Sequence, residues 1–381
     1  MKKVFAFVMA AMMVMAMFAG CQSSEGSEST VIKVGTSGPL QGDYAVYGVA
    51  VKNGLTLAFE EINALGGLQF EVNGQDDEAD TEKAVNAYNN LMDWGMQIMA
   101  GPTTSGSAAA AAAECAKDSV FMLTPSASDP SVLEAGPNVF QICFSDTNQG
   151  KASAQYIFNN NMATKVGVIY DSSSPYSAGI YATFKAEAET LGLVIAAEAP
   201  FTDATKGDLT TQVTKCQQAG CDLIFLPIYT AEAVKVLSVA NANGYTPKFF
   251  GCDGLDGILN VENFDTSLAE GVMLLTPFDA TSADPKTQAF VKAYTEKFGY
   301  APNQFAADAY DVAYAIYEAC KAGGVTADMT AAEINEILIA QFTTMSFDGI
   351  TGLAMTWGAD GAVSKAPMAV VIKNGIYVGV E

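Results

Sequence analysis

Lys165–Asp171 reads KVGVIYD and Asp222–Ile228 reads DLIFLPI, two short runs of β-branched and other apolar residues. The segment between them contains a helical pattern at Tyr176–Leu191, a further strand at Val194–Ala199 and a second helical pattern at Gly207–Ala219. Strands that alternate with helices in this way predict βαβ units and a parallel sheet. The strands are apolar along most of their length, which is typical of a sheet covered by helices on both faces.

The same alternation extends in both directions and predicts two α/β lobes. The strands predicted outside the opening stretch are Val31–Gly38, Gln69–Gly74, Met96–Ala100, Val120–Leu123, Val139–Phe144 and Lys248–Gly251, and the helices are Ala45–Ala64, Asp80–Trp94, Ser105–Lys117 and Ala231–Asn243. After Gly271 come three more helices, Lys286–Phe298, Gln304–Ala322 and Ala331–Phe342, and a β-rich tail from Leu353 to Val380. This remainder is too small for a third domain, so we assign its helices to the first lobe.

Composition excludes several classes of function. The chain of 381 residues has 42 acidic and 19 basic residues, a net charge of −23, and contains neither histidine nor arginine. These absences exclude Ser-His-Asp and Cys-His nucleophiles, histidine metal sites and bidentate arginine clamps. An acidic chain without arginine is also poorly suited to bind phosphates. We therefore expect no metal, no cofactor and no nucleic-acid partner.

The N-terminus indicates export. Met1-Lys2-Lys3 precedes 15 uncharged residues, Val4–Phe18, a run too short for a bilayer span of about 20 residues but typical of a signal-peptide core. Phe18-Ala19-Gly20-Cys21 resembles a bacterial lipoprotein cleavage box, although an ordinary secretory signal is the alternative. We predict a signal peptide at residues 1–20, lipidation of Cys21 and a flexible tether at residues 21–30. The mature protein is then anchored at the outer face of the cell membrane.

Six further cysteines show no spacing typical of a zinc site. Even parity in an exported chain permits disulfides, and Cys216 and Cys221 flank a predicted helix-to-strand turn where they could pair. Our preferred interpretation is six unpaired, partly buried thiols. The six are Cys115, Cys143, Cys216, Cys221, Cys252 and Cys320.

Candidate binding residues lie in the loops after the strands, because ligands of doubly wound sheets bind beyond the carboxyl ends of the strands. Thr103–Ser107, TTSGS, opens directly onto the alanine-rich helix. A helix N-terminus with added hydroxyls forms an anion site without a cationic side chain. Ser105 alone could equally be a helix cap. Asp253, between strand and glycine, could pair with a ligand ammonium or form an Asx turn.

Taken together, these loops resemble the periplasmic binding proteins for leucine, isoleucine and valine, the type I solute-binding components of ABC importers. The resemblance implies two Rossmann-like, doubly wound α/β lobes joined by a hinge of three crossovers. It implies that residues 31–145 and 277–349 form lobe 1 and that residues 146–276 and 350–381 form lobe 2. The segments that carry it are Ser37-Gly38-Pro39, Tyr47-Gly48, Glu61–Gly67, Asp76-Asp77, Gly101–Ser107, Thr124–Pro130 and Gly251–Gly254.

The resemblance also implies the roles of individual residues. Ser105 and Ser128 match positions that bind the ligand α-carboxylate, and the carbonyl of Ser126 and the side chain of Asp253 match positions that bind its ammonium. The side-chain pocket corresponds to Tyr47, Thr103, Thr104, Tyr176, Tyr229 and Phe305. The expected ligand is a small amino acid, branched-chain or otherwise aliphatic. The two threonines leave a smaller or more polar amino acid open.

The resemblance implies a monomer that delivers its ligand to an ABC permease and ATPase in the membrane. One alternative is a sensing module that binds a different small solute, such as a polar amino acid or an amide. A second is an exported hydrolase, but the chain has no Ser-x-x-Lys, no Gly-x-Ser-x-Gly and no Gly-x-Gly motif. A third, a structural surface protein, does not explain hydroxyl-rich loops at strand ends.

Overall fold

The computed structural model describes residues 31–380. The predicted signal peptide, tether and Cys21 lie outside these residues. The first lobe is built on a parallel sheet of order β2-β1-β3-β4-β5. Its strands are β1 (Ile32–Gly38), β2 (Phe70–Asp76), β3 (Ile98–Met99), β4 (Phe121–Thr124) and β5 (Val139–Gln141).

Helices from two separate parts of the chain cover this sheet. They are α1 (Ala45–Ala64), α2 (Thr81–Trp94) and α3 (Ser105–Asp118), and later α8 (Pro285–Phe298), α9 (Gln304–Gly323) and α10 (Ala331–Phe342). Leu55 and Phe59 of α1 share one apolar core with Val312 and Ile316 of α9. No helix within residues 31–380 combines the length and apolar character needed to cross a membrane.

The second lobe has a mixed sheet of order β12-β11-β10-β9-β8-β6-β7, in which β6 to β10 are parallel and the last two strands are antiparallel. KVGVIYD supplies its inner strand β6. The strands are β6 (Val166–Asp171), β7 (Ile195–Phe201), β8 (Leu223–Leu226), β9 (Lys248–Gly251), β10 (Met273–Thr276), β11 (Met368–Lys373) and β12 (Ile376–Gly379), with helices α4 (Asp146–Asn159), α5 (Pro175–Leu191), α6 (Thr210–Gln218) and α7 (Thr230–Ala242).

The third crossing between the lobes differs from the expected position near Gly349. Met355, Trp357 and Val363 belong to the apolar core of the first lobe. The Trp357 indole Nε1 donates a hydrogen bond to the carbonyl of Gln141 at 2.8 Å. Burying this large ring holds the chain in the first lobe until Val363, so the crossing lies just before β11. Leu353 accordingly precedes the strands of the tail instead of beginning them.

A buried charge network lies beside this crossing. Lys365 Nζ is 2.7 Å from Asp308 Oδ1 of α9 and donates to Thr351 Oγ1 at 2.6 Å. The Lys365 and Asp308 side chains are only 1% and 2% exposed. Separating a buried ion pair is costly, because each charge would be left buried without its partner. The network therefore fixes the last crossover to the first lobe.

All six described cysteines are unpaired, as in the preferred interpretation, but they are fully buried instead of partly buried. Cys216 and Cys221 nevertheless lie close together. A Cβ added at Gly167 would be 2.7 Å from the Cys216 sulfur and 3.1 Å from the Cys221 sulfur. A larger residue there would displace the Cys216 thiol and crowd the Cys221 thiol.

Candidate functional site

A small cavity of about 10 Å³ lies between the lobes, where the loops after the strands of both sheets meet. Eight of the ten residues predicted to contact a ligand line it, and both lobes contribute. The lining consists of Tyr47, Thr103, Thr104, Ser126, Tyr176, Tyr229, Asp253, Gly254 and Phe305. Residues more than 250 positions apart in sequence thus form a single site.

Direct hydrogen bonds between the lobes close this cavity. Tyr47 of the first lobe donates to the carbonyl of Gly254 at 2.6 Å and accepts from the Thr230 amide at 2.7 Å. Tyr44 donates to Glu232 Oε1 at 2.8 Å. Because these bonds join α1 to the strand ends of the second lobe, they stabilise a closed arrangement.

Asp253 supplies a buried negative charge at one end of the cavity. It lies in a 3-10 turn directly after β9 and is 3% exposed. Tyr176 donates to its Oδ1 at 2.6 Å, and the Gly254 amide donates to the Tyr176 hydroxyl at 2.9 Å. Burial raises the pKa of Asp253 to about 6, and the hydrogen bond from Tyr176 partly offsets this effect. Within residues 31–380 no lysine forms an ion pair with it, so the charge is available to a ligand cation.

An aromatic wall forms one side of the cavity. The ring centroids of Phe305 and Tyr47 are 4.9 Å apart, those of Tyr47 and Tyr229 are 5.2 Å apart, and those of Tyr229 and Tyr176 are 4.9 Å apart in parallel stacking. The hydroxyls of Tyr47 and Tyr176 are engaged in the hydrogen bonds given above. The ring faces therefore offer an apolar surface suited to an aliphatic side chain.

Hydroxyl groups lie at the N-terminus of α3. Thr104 is the residue that precedes this helix, and its side chain forms no cap hydrogen bond. Its buried Oγ1 has no hydrogen-bond partner among the described residues. Thr103 Oγ1, by contrast, donates to the carbonyl of Ser37 at 3.1 Å, and Ser126 Oγ donates to the carbonyl of Thr103 at 2.6 Å. The pocket is thus less polar at Thr103 than the sequence indicates, and the free hydroxyl is that of Thr104.

The two serines predicted to hold a carboxylate lie beside the lining, not within it. Ser105 Oγ accepts a hydrogen bond from the Asp129 amide at 3.3 Å, which ties the loop after β4 to the start of α3. Ser128 is fully buried, and its Oγ has no partner in the described part of the chain. Each serine is close in sequence to a residue that lines the cavity: Thr104 precedes Ser105, and Ser126 lies two positions before Ser128.

Two polar residues near the site were missed from the sequence. Asp146 is the first residue of α4 and is fully buried. Gln149 accepts a hydrogen bond from the Asp253 amide at 3.1 Å through Oε1 and donates to Asp146 Oδ1 at 3.4 Å through Nε2. In the sequence these two residues form an Asp-x-x-Gln pattern at the start of a helix. That pattern marks only the first crossing between the lobes and does not indicate a binding role.

Two doubly wound lobes with three crossings and a closed cavity between their strand ends define a two-lobe solute-binding protein. The chain belongs to the periplasmic binding protein family, whose model matches residues 31–375. The predicted fold class and the resemblance stated from the loops are both confirmed.

Individual relatives support this assignment. Leu/Ile/Val-binding protein homolog 3 of Brucella melitensis is 30% identical over 77% of this chain and 78% of its own length. The branched-chain amino acid transporter substrate binding protein LivJ of Streptococcus pneumoniae, solved in complex with isoleucine, is 29% identical with a TM-score of 0.81, covering 92% of this chain and 100% of that chain. The leucine binding protein LivK of Thermotoga maritima, 24% identical, has the same fold with a TM-score of 0.83, covering 92% of this chain and 98% of that chain.

Proposed function

We propose that this protein captures a small amino acid, branched-chain or otherwise aliphatic, outside the cytoplasm and delivers it to an ABC permease with its ATPase. The observation that carries the proposal is the composition of the closed cavity. An unpaired buried carboxylate faces it from the second lobe, a helix N-terminus with a free hydroxyl lies beside it in the first lobe, and an aromatic wall joins the two. These are the three features needed for the ammonium, the carboxylate and the side chain of an amino acid.

Binding follows from charge and closure. The ligand carboxylate lies at the start of α3, where amide hydrogens and the helix dipole favour an anion. The ligand ammonium pairs with Asp253, which approaches as the lobes close. Closure excludes water, and this strengthens each charged hydrogen bond. The ligand side chain packs against the aromatic wall.

The magnitudes are sufficient for transport. A micromolar dissociation constant corresponds to about 8 kcal/mol. Charge-assisted hydrogen bonds contribute about 1.5–3 kcal/mol each, and burial of an aliphatic side chain contributes about 1.5–3 kcal/mol. Several such bonds together with one buried side chain exceed this value and offset the cost of ordering ligand and lobes.

A thermal-shift screen over the common amino acids, followed by titration calorimetry, tests the proposal. A ligand at about 100 times its dissociation constant stabilises the folded protein by about 2.7 kcal/mol, which raises the melting temperature by several degrees. We expect the largest shifts from leucine, isoleucine, valine and alanine. A flat response across all aliphatic and polar amino acids would overturn the proposal.

For localisation, we propose export through the signal peptide at residues 1–20, lipid anchoring at Cys21 and action as a monomer. The apolar run and the Ala-Gly-Cys sequence before the polar segment support export and lipid anchoring. In cells that express the full chain, Cys21→Ser should move the protein from the membrane fraction to the soluble fraction. Retention of the variant in the membrane fraction would argue against a lipid anchor.

A further inference from the structure

Cys216 and Cys221 meet at the end of helix α6. The Cys221 amide donates a hydrogen bond to the Cys216 carbonyl at 3.1 Å, and the Gly220 amide donates to the Gln217 carbonyl at 3.0 Å. Gly220 has a φ of 67°, in the left-handed region. The two bonds and this glycine form a Schellman motif, which ends a helix and brings the side chains of its first and sixth residues together. Here both of those side chains are thiols.

The inner strand of the second lobe holds the two sulfurs side by side. Both lie within 3.1 Å of the point where a Cβ at Gly167 of β6 would stand. Cys216 and Cys221 belong to one apolar core and are 0% and 3% exposed. The Tyr245 hydroxyl donates to the Cys221 carbonyl at 2.7 Å and fixes the backbone there. The fold therefore holds both thiols where a disulfide can form between them.

The two thiols differ in reactivity. Cys221 is flanked by the exposed residues Gly220 and Asp222, whereas Cys216 is completely buried. The neighbouring Cys216 thiol lowers the pKa of Cys221, and the charge of Lys165 acts in the same direction against burial. The pKa of Cys216 is raised by its Cys221 neighbour and by burial. Because the thiolate is the form that attacks a disulfide, Cys221 reacts first.

We propose that Cys216 and Cys221 are a redox-active pair that closes to a disulfide when the protein meets a disulfide oxidant, and that this bond locks the end of α6. The Cys221 thiolate attacks one sulfur of the oxidant, which forms a mixed disulfide and releases one thiol. Cys216 then loses its proton and attacks the Cys221 sulfur, so that the bond within the pair forms and the second thiol of the oxidant leaves. The pair loses two electrons and two protons, and the oxidant takes up both as its two thiols. A protein that acts outside the cytoplasm, as proposed above, meets such oxidants.

The pair lies at the opposite end of the sheet from the ligand cavity. Cys221 is two residues before the start of β8, and the cavity is formed beyond the carboxyl ends of the strands. A disulfide stabilises a protein mainly by restricting the unfolded chain, and this one replaces a contact that the folded lobe already makes. We therefore expect oxidation to raise the melting temperature by about 2–6 °C.

A redox titration of the full chain with reduced and oxidised glutathione tests the pairing. The samples are quenched in acid, unfolded, alkylated, digested and analysed by mass spectrometry. Cleavage after Lys215 and Lys235 releases one peptide, residues 216–235, that contains both cysteines. In the oxidised protein we expect this peptide to resist alkylation and to be lighter by two hydrogens, while the peptide with Cys320 is alkylated as before. A 216–235 peptide that is alkylated twice, or that carries glutathione, would overturn the proposal.

Thermal unfolding of the reduced and oxidised forms tests the lock. Cys216→Ala cannot form the bond and should show no rise in melting temperature after oxidation. Cys320→Ala is the matched control, because it removes a buried thiol from the core of the first lobe and should keep the full rise. A disulfide that forms without raising the melting temperature, or an equal rise in Cys216→Ala, would show that the pair does not lock α6.

Discussion

The replacement of Asp253 by alanine tests the binding mechanism most directly. Asp253 is 3% exposed and lies at the cavity, with one carboxylate oxygen held by Tyr176. In the variant, a bound amino acid keeps its carboxylate contacts, but its ammonium loses its acidic partner from the second lobe. The loss should therefore fall on affinity and not on folding.

The expected magnitude follows from burial. Removing one partner of a buried charge pair costs about 3–5 kcal/mol, because the remaining charge stays desolvated. This corresponds to a dissociation constant about 150- to 5,000-fold higher. In the free protein the effect has the opposite sign. A shift of the Asp253 pKa from 3.8 to about 6 means that the ionised carboxylate destabilises the free protein by about 3 kcal/mol at neutral pH. The alanine variant lacks this destabilisation.

Titration calorimetry with the tightest amino acid of the screen measures the affinity, and calorimetric unfolding measures the stability of the free variant. Asp311→Asn is a suitable control. Asp311 is equally buried but accepts hydrogen bonds from the Ile350 and Thr351 amides within the first lobe, so its loss should lower stability and leave affinity unchanged. A loss of affinity below tenfold for Asp253→Ala would refute the pairing of Asp253 with the ammonium.

Three further predictions concern pH, the hinge and lobe closure. Since the pKa of Asp253 is raised to about 6, ligand affinity should fall about tenfold per pH unit below 6, where a proton competes with the ammonium. The same raised pKa means that Asp253 favours folding of the free protein more at pH 5 than at pH 7. An affinity that stays constant in calorimetry from pH 5 to 8 would contradict this. Lys365→Met should lower the free energy of unfolding by about 3–5 kcal/mol, because it leaves the buried Asp308 unpaired. Adding Asp308→Leu should recover most of this loss in denaturant titrations. An equal loss in the single and double variants would exclude the ion pair as the cause. Tyr47→Phe loses the hydrogen bond to the Gly254 carbonyl. We therefore expect about tenfold weaker ligand binding and a larger radius of gyration by small-angle scattering. An unchanged radius with unchanged affinity would show that this bond does not hold the lobes closed.

Local signals explain why so much of the fold was predictable. Helix α2 begins where the Asp80 side chain accepts from the Lys83 amide and ends at Gly95, with φ of 93°, and both features are encoded within a few residues. Strand β6 is apolar and buried from Val166 to Ile169, as expected for a strand that helices cover on both faces. Asp253 and Thr103 both line the cavity, and each follows a strand of its own sheet, where the carboxyl ends of parallel strands share one edge.

Packing between distant segments explains what was not predictable. The third crossing lies after Val363 because the Trp357 ring packs 4.8 Å from Phe342 and bonds to Gln141, contacts that no local pattern encodes. The Thr103 hydroxyl adds little polarity to the pocket, because it donates to the Ser37 carbonyl of a distant strand.

The sequence by itself determined the two α/β lobes, because the periodicity of strands and helices is a short-range property of the chain. The family and the expected pocket residues followed from the resemblance that its loop motifs carry. Only the tertiary structure decided which oxygens remain free. The hydroxyls of Thr103 and Thr104 are neighbours in sequence, but one donates to the Ser37 carbonyl and the other has no partner among the described residues, because different segments pack against them.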